Sequence, residues 1–555
     1  MERKWWKEAV VYQLYPRSFY DTNGDGIGDL RGVIEKVDYL VELGITAVWL
    51  NPIYKSPNDD MGYDISDYQD IMTEFGTLDD FRKLAKKLKD NNIKLIMDMV
   101  VNHSSDEHSW FVESRQSIDN DKRDYYIWVD GEKDTPPNNW ASFFTPSAWK
   151  YDDKTQQYYL HLFSEKQPDL NWTNPKLRQE IYTMMKWWIE MGVDGFRMDV
   201  INLLDKANGF PNSDKDANIS GYVMDDELFA NRENIHTWLK EMRQEVFNRD
   251  DLVMIGETPF VTVDMAKRYV NPESKEMDML FAFDLMDVNS GKSGKWEIVD
   301  FSIARMKNIL NDWQLGLKDS WNSLFWSNHD QPRAVSRFGN DSQEYREKSA
   351  KMLGTLMHML KGTPYIYQGE EIGMTNMPFN CMDDLRDLES INYYDEALKA
   401  GISHEKAWDC ILQKGRDNAR TPMQWDESNN AGFTTGEPWQ KVNPNYAHIN
   451  VKESKDREGS VLNYYKQLIQ VRKENDIVVY GDYTPLYFEH EQVVALSRNL
   501  NEEKWIIIVN FTKEKATLDF NNEVAEIIIS NTSRLELKED KLTLDAYDAF
   551  VLKVK

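Results

Sequence analysis

GFRMDVIN, residues 195–202, reads as a short apolar strand, Gly195–Met198, whose C-terminal end carries Arg197 and Asp199. Just upstream, Asn174 is placed to cap a helix with Pro175 in its first turn. Leu177, Ile181, Met184, Trp188 and Met191 then recur at helical spacing, and Gly192 is placed to end the helix. Helix followed by strand is the repeating half of a β/α unit, and the chain repeats it in both directions. Apolar runs at Val10–Tyr15, Thr46–Leu50 and Lys94–Met99 precede, and Leu252–Gly256, Met279–Phe283, Asn322–Trp326 and Pro364–Tyr367 follow. Ala350, Leu353, Met357 and Leu360 give a second helical stripe, read as packing on strands. Eight strands are the number that closes a (β/α)8 barrel.

Two connections are too long for simple loops. Residues 104–170, rich in Asn, Asp, Trp, Tyr and Phe, are expected to form an inserted subdomain after the third strand. Residues of about 370–455 form a second elaboration after the eighth strand, before a last helix near Val461–Arg472. Strand-like alternation follows at Val493–Arg498, Trp505–Phe511, Ile527–Ile529 and Ala549–Val554. The expected fold class is therefore α/β: a TIM barrel over 1–103 and 171–478, the insertion at 104–170, and a C-terminal antiparallel β-sandwich over 479–555.

The formal charge of −28 over 555 residues disfavours nucleic acid and anionic membranes as partners and is compatible with a neutral, hydroxyl-rich ligand. No run approaches the length of a membrane span. The N-terminal MERKWWKEAV is charged and lacks an apolar signal core, and Cys381 and Cys410 are too few for a disulfide framework, so a cytoplasmic protein is expected. A monomer is the expected state.

In barrels of this type the reactive side chains project from the C-terminal ends of the strands. Those ends supply Asp98 with Asn102 and His103, then Arg197 and Asp199, then Glu257, then His329 and Asp330. Any one of these acids alone is as well explained as a helix cap. Acids converging on one mouth meet the needs of glycosidic cleavage. One carboxylate attacks the anomeric carbon, and a carboxylic acid about 5–5.5 Å away protonates the leaving oxygen in a retaining enzyme.

DMVVNH (98–103), GFRMDVIN (195–202), GET (256–258) and SNHDQPR (327–333) resemble the four signature regions of the α-amylase superfamily, glycoside hydrolase family 13. QPDLNW (167–172), YQGEEIGMTN (367–376) and RDNARTPMQW (416–425) resemble its oligo-1,6-glucosidase branch. The likeness runs over essentially the whole chain. It implies an exo-acting α-glucosidase that removes terminal α-1,6-linked glucose from isomaltose, panose and similar short oligosaccharides, with side activity on sucrose or maltose. It implies Asp199 as nucleophile, Glu257 as general acid and base, and Asp330 as transition-state stabiliser, with Arg197 keeping Asp199 ionised. His103 and His329 would bond the glucose being cleaved. Asp60 and Tyr63 of DDMGYDISDY (59–68) would line the terminal-glucose subsite, and an Asp60–Arg416 pair would close its far side. Phe144, Phe163, Gln167 and Glu389 match positions that shape the pocket or its leaving-group side.

Val200 carries the linkage inference, because relatives that prefer α-1,6 bonds usually have Val there and α-1,4-preferring ones Thr. DTNGDGIGD (21–29) offers oxygen ligands on alternate residues. With Gly32 at the twelfth position it is not an EF-hand. The resemblance implies one structural Ca2+, with Mg2+ as the alternative, on Asp21, Asn23, Asp25, the Ile27 carbonyl and Asp29. No organic cofactor is expected.

Three other readings compete. Trehalose-6-phosphate hydrolases share the barrel and the acids but tend to read QADLNW where this chain has QPDLNW. Sucrose isomerases, which also transfer glucosyl groups, often carry an Arg-rich segment where AVSRFGND (334–341) stands here. Non-catalytic transporter heavy-chain relatives carry a membrane helix and lack catalytic acids, whereas Asp199, Glu257 and Asp330 are all present here.

Overall fold

A computed structural model describes residues 3–144 and 146–555. Eight parallel strands form its centre: β1 (Val11–Leu14), β2 (Ala47–Leu50), β3 (Lys94–Val100), β4 (Gly195–Asp199), β5 (Val253–Glu257), β6 (Met279–Phe281), β7 (Ser323–Leu324) and β8 (Thr363–Tyr367). Their hydrogen-bonded order is β6-β5-β4-β3-β2-β1-β8-β7, a nearly closed TIM barrel whose seam lies between β6 and β7. β1, β2, β4, β5, β6 and β8 are buried at every residue, as parallel strands covered on both faces require. Asn322–Trp326 was expected as the seventh strand, but only Ser323–Leu324 pair, so this side of the ring has little backbone to close it.

The helix before β4 runs Pro175–Glu190, and the Asn174 side chain accepts from Lys176 and Leu177 N–H groups. Gly192, at φ 106°, turns the chain into β4, a backbone angle that disfavours a residue with Cβ. The helix Arg346–Met359 is buried on most of its surface because Val461–Glu474 packs across it.

After β3, helix Ser109–Ser114 leads into a three-stranded antiparallel sheet, with Gln157–Leu160 between Trp128–Asp130 and Trp149–Asp152. Trp140, Trp149, Tyr158 and Leu160 of this insertion share one apolar cluster with Val200, Leu203, Ala207 and Phe229. The core is therefore built jointly with the segment that leaves β4, which the sequence did not reveal. The elaboration after β8 contains helices Leu388–Lys399 and His404–Lys414. A hairpin, Ser290–Gly291 with Gly294–Ile298, packs on them, and Trp296 stacks on Tyr393 at 4.2 Å.

The C-terminal region has a five-stranded antiparallel sheet in the order Asp482–Leu486, Val493–Leu500, Glu503–Asn510, Ala549–Val554, Val524–Ser530. A second sheet orders Ala516–Asp519, Lys541–Leu544 and Glu536–Lys538, and Val493, Ile506, Ile508, Leu518, Leu542, Leu544 and Phe550 fill the core between them. Four of these strands escaped the sequence reading because they are short or carry charged residues at every other position. No helix among the described residues is long and apolar enough to cross a membrane.

Candidate active site

Arg197 is the hub of the barrel mouth. The β3–β4 register sets it beside Asp98, and Asp199, two residues on, faces the same side of the strand. Its Nη1 lies 2.7 Å from Asp98 Oδ1 and 2.7 Å from Asp199 Oδ1, while Nη2 lies 2.5 Å from Oε1 of Glu257, at the end of β5. One planar guanidinium thus holds the two carboxylates within its own width. Glu257 is also fixed from the other side, because the Val200 N–H donates to its Oε2 at 3.1 Å. That amide is aimed by a left-handed backbone at Val200, φ 35° and ψ 41°, a costly conformation for a β-branched residue.

Burial is the largest influence on Asp199 and pushes its pKa well up; Glu257 and Asp98 add to the rise, and Arg197 opposes it. The Arg197 cation thus favours the charged form of Asp199 against the cost of its burial, without cancelling that cost. Asp98 is held by Trp49 Nε1 at 3.1 Å and by the Tyr63 hydroxyl at 2.8 Å.

Asp330 follows β7 and answers to different neighbours. Burial again opposes its charge, but His329, Arg416 and Arg420 outweigh that and hold its pKa well below the usual carboxylate range. Arg420 Nη2 is 2.7 Å from Oδ1, and His329 Nε2 is 3.0 Å from Oδ2. His329 lies flat on Tyr63, with centroids 5.1 Å apart and ring planes within 5°.

Asp60 and Arg416 meet across the mouth. Arg416 Nη2 reaches Asp60 Oδ1 at 3.0 Å, and the guanidinium also lies 2.6 Å from Asp387 Oδ1, 3.3 Å from Asp330 and 3.4 Å from Glu389. Burial raises Asp60 to about 6 despite Arg416. Phe144 lies under the Arg416 guanidinium at 4.8 Å, and Lys295 pairs with Glu389 at 2.6 Å. Gln167 Nε2 is 3.1 Å from Asp60 Oδ2 and 3.2 Å from His103 Nε2. Burial lowers the His103 pKa to about 4, so the ring is neutral.

Phe163 packs at 5.0 Å from the His103 ring and stacks on Phe143 at 4.9 Å; Phe143 in turn stacks on Phe260 at 6.1 Å. Phe143, Phe260, Asp387 and Arg420 were not singled out from the sequence. For Arg420 a signal exists, since it stands inside RDNARTPMQW one helical turn beyond Arg416 and so shares a face with it. Asp387 carries no signal except its place as a helix cap.

The 21–29 loop sits apart from these groups, against Phe433–Glu437. Asp21 accepts from the N–H groups of Asn23, Gly24 and Gly26, Asp25 from Ile27, and Asp29 from Thr22 and Gly32. No group of three or more His, Cys, Asp or Glu is gathered for a metal among the described residues. The acids here are interleaved with an amide and a carbonyl, and none of the three pairs with a basic side chain among those residues. The donors are thus those a hard cation would use, with charge to spare.

A barrel whose mouth gathers three acids, with arginines paired to them, defines a class of sugar-cleaving enzymes. The model of the α-amylase catalytic domain matches residues 13–481, and the chain belongs to this family of glycoside hydrolases. It is 53% identical over 561 residues to the oligo-1,6-glucosidase of Bacillus cereus, covering 100% of both chains. Among solved structures, the Bacillus licheniformis trehalose-6-phosphate hydrolase superposes with a TM-score of 0.93 at 43% identity. The isomaltulose synthase of Protaminobacter rubrum does so with 0.95 at 41%, and all chains are covered in full.

Proposed function

We propose that this chain is a retaining, exo-acting α-glucosidase that hydrolyses terminal α-1,6-linked glucose from isomaltose, panose and other short isomalto-oligosaccharides. The observation that carries the reading is the Arg197 guanidinium bonding Asp199 and Glu257 together, beneath the closed end made by Asp60 and Arg416. The name of the 53% identical relative supports the linkage. In the first step an Asp199 oxygen forms a bond to the anomeric carbon as the glycosidic C–O bond breaks, and Glu257 gives its proton to the departing oxygen. In the second, Glu257 takes a proton from water, which displaces Asp199 and releases glucose with its original α configuration. Asp330, kept ionised, bonds the ring hydroxyls and favours the positively charged transition state. The wall of Asp60, Arg416 and Gln167 admits a chain end and stops a longer glycan from passing through.

The test is a panel of isomaltose, maltose, sucrose and trehalose 6-phosphate, with the anomer of the first product followed by NMR. Isomaltose should be cleaved fastest with α-glucose appearing first. Preference for trehalose 6-phosphate, isomaltulose made from sucrose, or β-glucose as first product would each overturn the reading.

We infer further that Asp21, Asn23, Asp25, the Ile27 carbonyl and Asp29 bind one structural Ca2+, Mg2+ being the alternative. Three carboxylates in nine residues without a basic partner support it. A reducing, cytoplasmic setting is supported by Cys381 and Cys410 both being free thiols.

A further inference from the structure

Lys206 is a cation placed deep in the protein with no part in bond cleavage. Its side chain is 3% exposed, and each of its three N–H bonds has a partner: Asp169 Oδ2 at 2.7 Å, Asn102 Oδ1 at 2.9 Å and the Leu203 carbonyl at 2.6 Å. An ammonium group has no acceptor. The oxygen of the Asn102 amide must therefore face Lys206, which turns its NH2 group the other way. There Nδ2 lies 3.2 Å from His103 Nδ1 and 3.2 Å from Asp169 Oδ2, so both its hydrogens are used. A nitrogen that receives a hydrogen bond carries no proton. A neutral imidazole has one N–H; with Nδ1 accepting from Asn102 it sits on Nε2, where the Tyr63 carbonyl at 3.2 Å can accept it, and the Gln167 amide nitrogen, also 3.2 Å from Nε2, then gives its hydrogen bond to Asp60 instead.

We propose that Lys206 is a positioning residue that acts through Asn102 to fix His103 in the Nε2–H tautomer, so that the ring offers a donor to a hydroxyl of the glucose being cleaved. The proposal rests on His103 touching that glucose, as in the function proposed above. The same ammonium ties three parts of the mouth together: Asn102 after β3, Asp169 at the end of the insertion, and the turn after β4. Asp169 is itself locked, bridging to the His103 backbone and accepting from the Leu162 N–H at 2.9 Å. The amide of Asn102 thus has one stable orientation, and the tautomer follows from it.

The experiment combines a double-mutant cycle with 15N NMR of histidine-labelled enzyme, the His103 signals being assigned by their loss in His103→Asn. In the unmodified enzyme the spectrum should report the proton on Nε2. Lys206→Met should lower kcat/KM for isomaltose by about tenfold, the worth of one well-placed hydrogen bond, and mix the tautomers. In the His103→Asn background the same substitution should cost nothing further, since a positioning residue has no effect without the group it positions. Asn102→Asp provides a second route that keeps the ion pairs: its carboxylate can only accept, so the proton should move to Nδ1, with a comparable loss of kcat/KM. A proton found on Nδ1 in the unmodified enzyme, or losses that multiply in the double variant, would overturn the proposal. If His103→Asn alone left kcat/KM unchanged, it is the sugar contact of His103 that would fall, whatever its tautomer.

Discussion

Arg416 and Asp60 are 356 positions apart in the chain, yet Nη2 of one lies 3.0 Å from Oδ1 of the other, with both side chains under a tenth exposed. Arg416 is not spent on that contact alone, because Asp387, Asp330 and Glu389 surround the same guanidinium. Removing Asp60's charge therefore leaves Arg416 paired. Asp60→Asn should lower kcat/KM for isomaltose by about tenfold or more, as one charge-assisted contact to sugar is lost, while the melting temperature holds. Steady-state kinetics beside a thermal melt checks this. A variant with unchanged kcat/KM would remove Asp60 from the glucose subsite.

Val200 is next to Asp199, and its left-handed backbone sends its N–H to Glu257. Thr is also β-branched and of similar volume, so Val200→Thr should keep that geometry and add a hydroxyl beside the sugar. The ratio of maltose to isomaltose cleavage should rise by about fivefold, the factor that ~1 kcal/mol corresponds to. A ratio equal to that of the unmodified enzyme would detach Val200 from the linkage preference.

Glu370 follows β8; among the described residues the Ser327 and Tyr465 hydroxyls bond its carboxyl, and burial raises its pKa to about 8 from an ordinary 4.5. A raised carboxyl pKa means that the folded protein keeps a proton the unfolded chain has already released. Stability is then unaffected by this group below about pH 4.5, falls as pH rises from there to about 8, and levels off above. Glu370→Gln, which cannot ionise, should melt much like the parent at pH 5 and gain on it steadily up to pH 8. Parallel melting curves across that range would show that Glu370 is not held neutral.

The 21–29 loop packs on Phe433–Glu437 and shares no contact with the three acids. Dialysis against a chelator should lower the melting temperature while the surviving enzyme keeps its turnover, and Ca2+ should restore the lost stability. An unchanged melting temperature would count against a bound ion.

The barrel was legible because parallel strands buried on both faces leave uninterrupted apolar runs, and all eight were located from them. β7 was overestimated for the same reason: Phe325 and Trp326 are as apolar as a strand but lie beyond its ladder. In the C-terminal region Lys541–Leu544 and Glu536–Lys538 alternate charged or polar with apolar residues over three or four positions, too short a stretch for a period to emerge. The site was readable where residues sit at strand ends. Arg197 and Asp199 are two apart on one strand, so their pairing follows from the pleat. Contacts made across the mouth were hidden. Asp387 reaches Arg416 from a helix cap, and Lys206 reaches Asn102 from a turn whose position depends on the insertion packing against Leu203 and Phe229. No local pattern encodes such meetings.

The proposed mechanism requires Asp199 to become covalently bound to glucose while Glu257 handles the proton. The most direct measurement is mass spectrometry of the enzyme incubated with a 5-fluoro-α-glucosyl fluoride, which forms the glycosyl-enzyme quickly and hydrolyses slowly. One fluoroglucosyl group should be found per chain, on the peptide carrying Asp199, and none in Asp199→Asn. Turnover without an adduct, or an adduct on another carboxylate, would contradict that assignment.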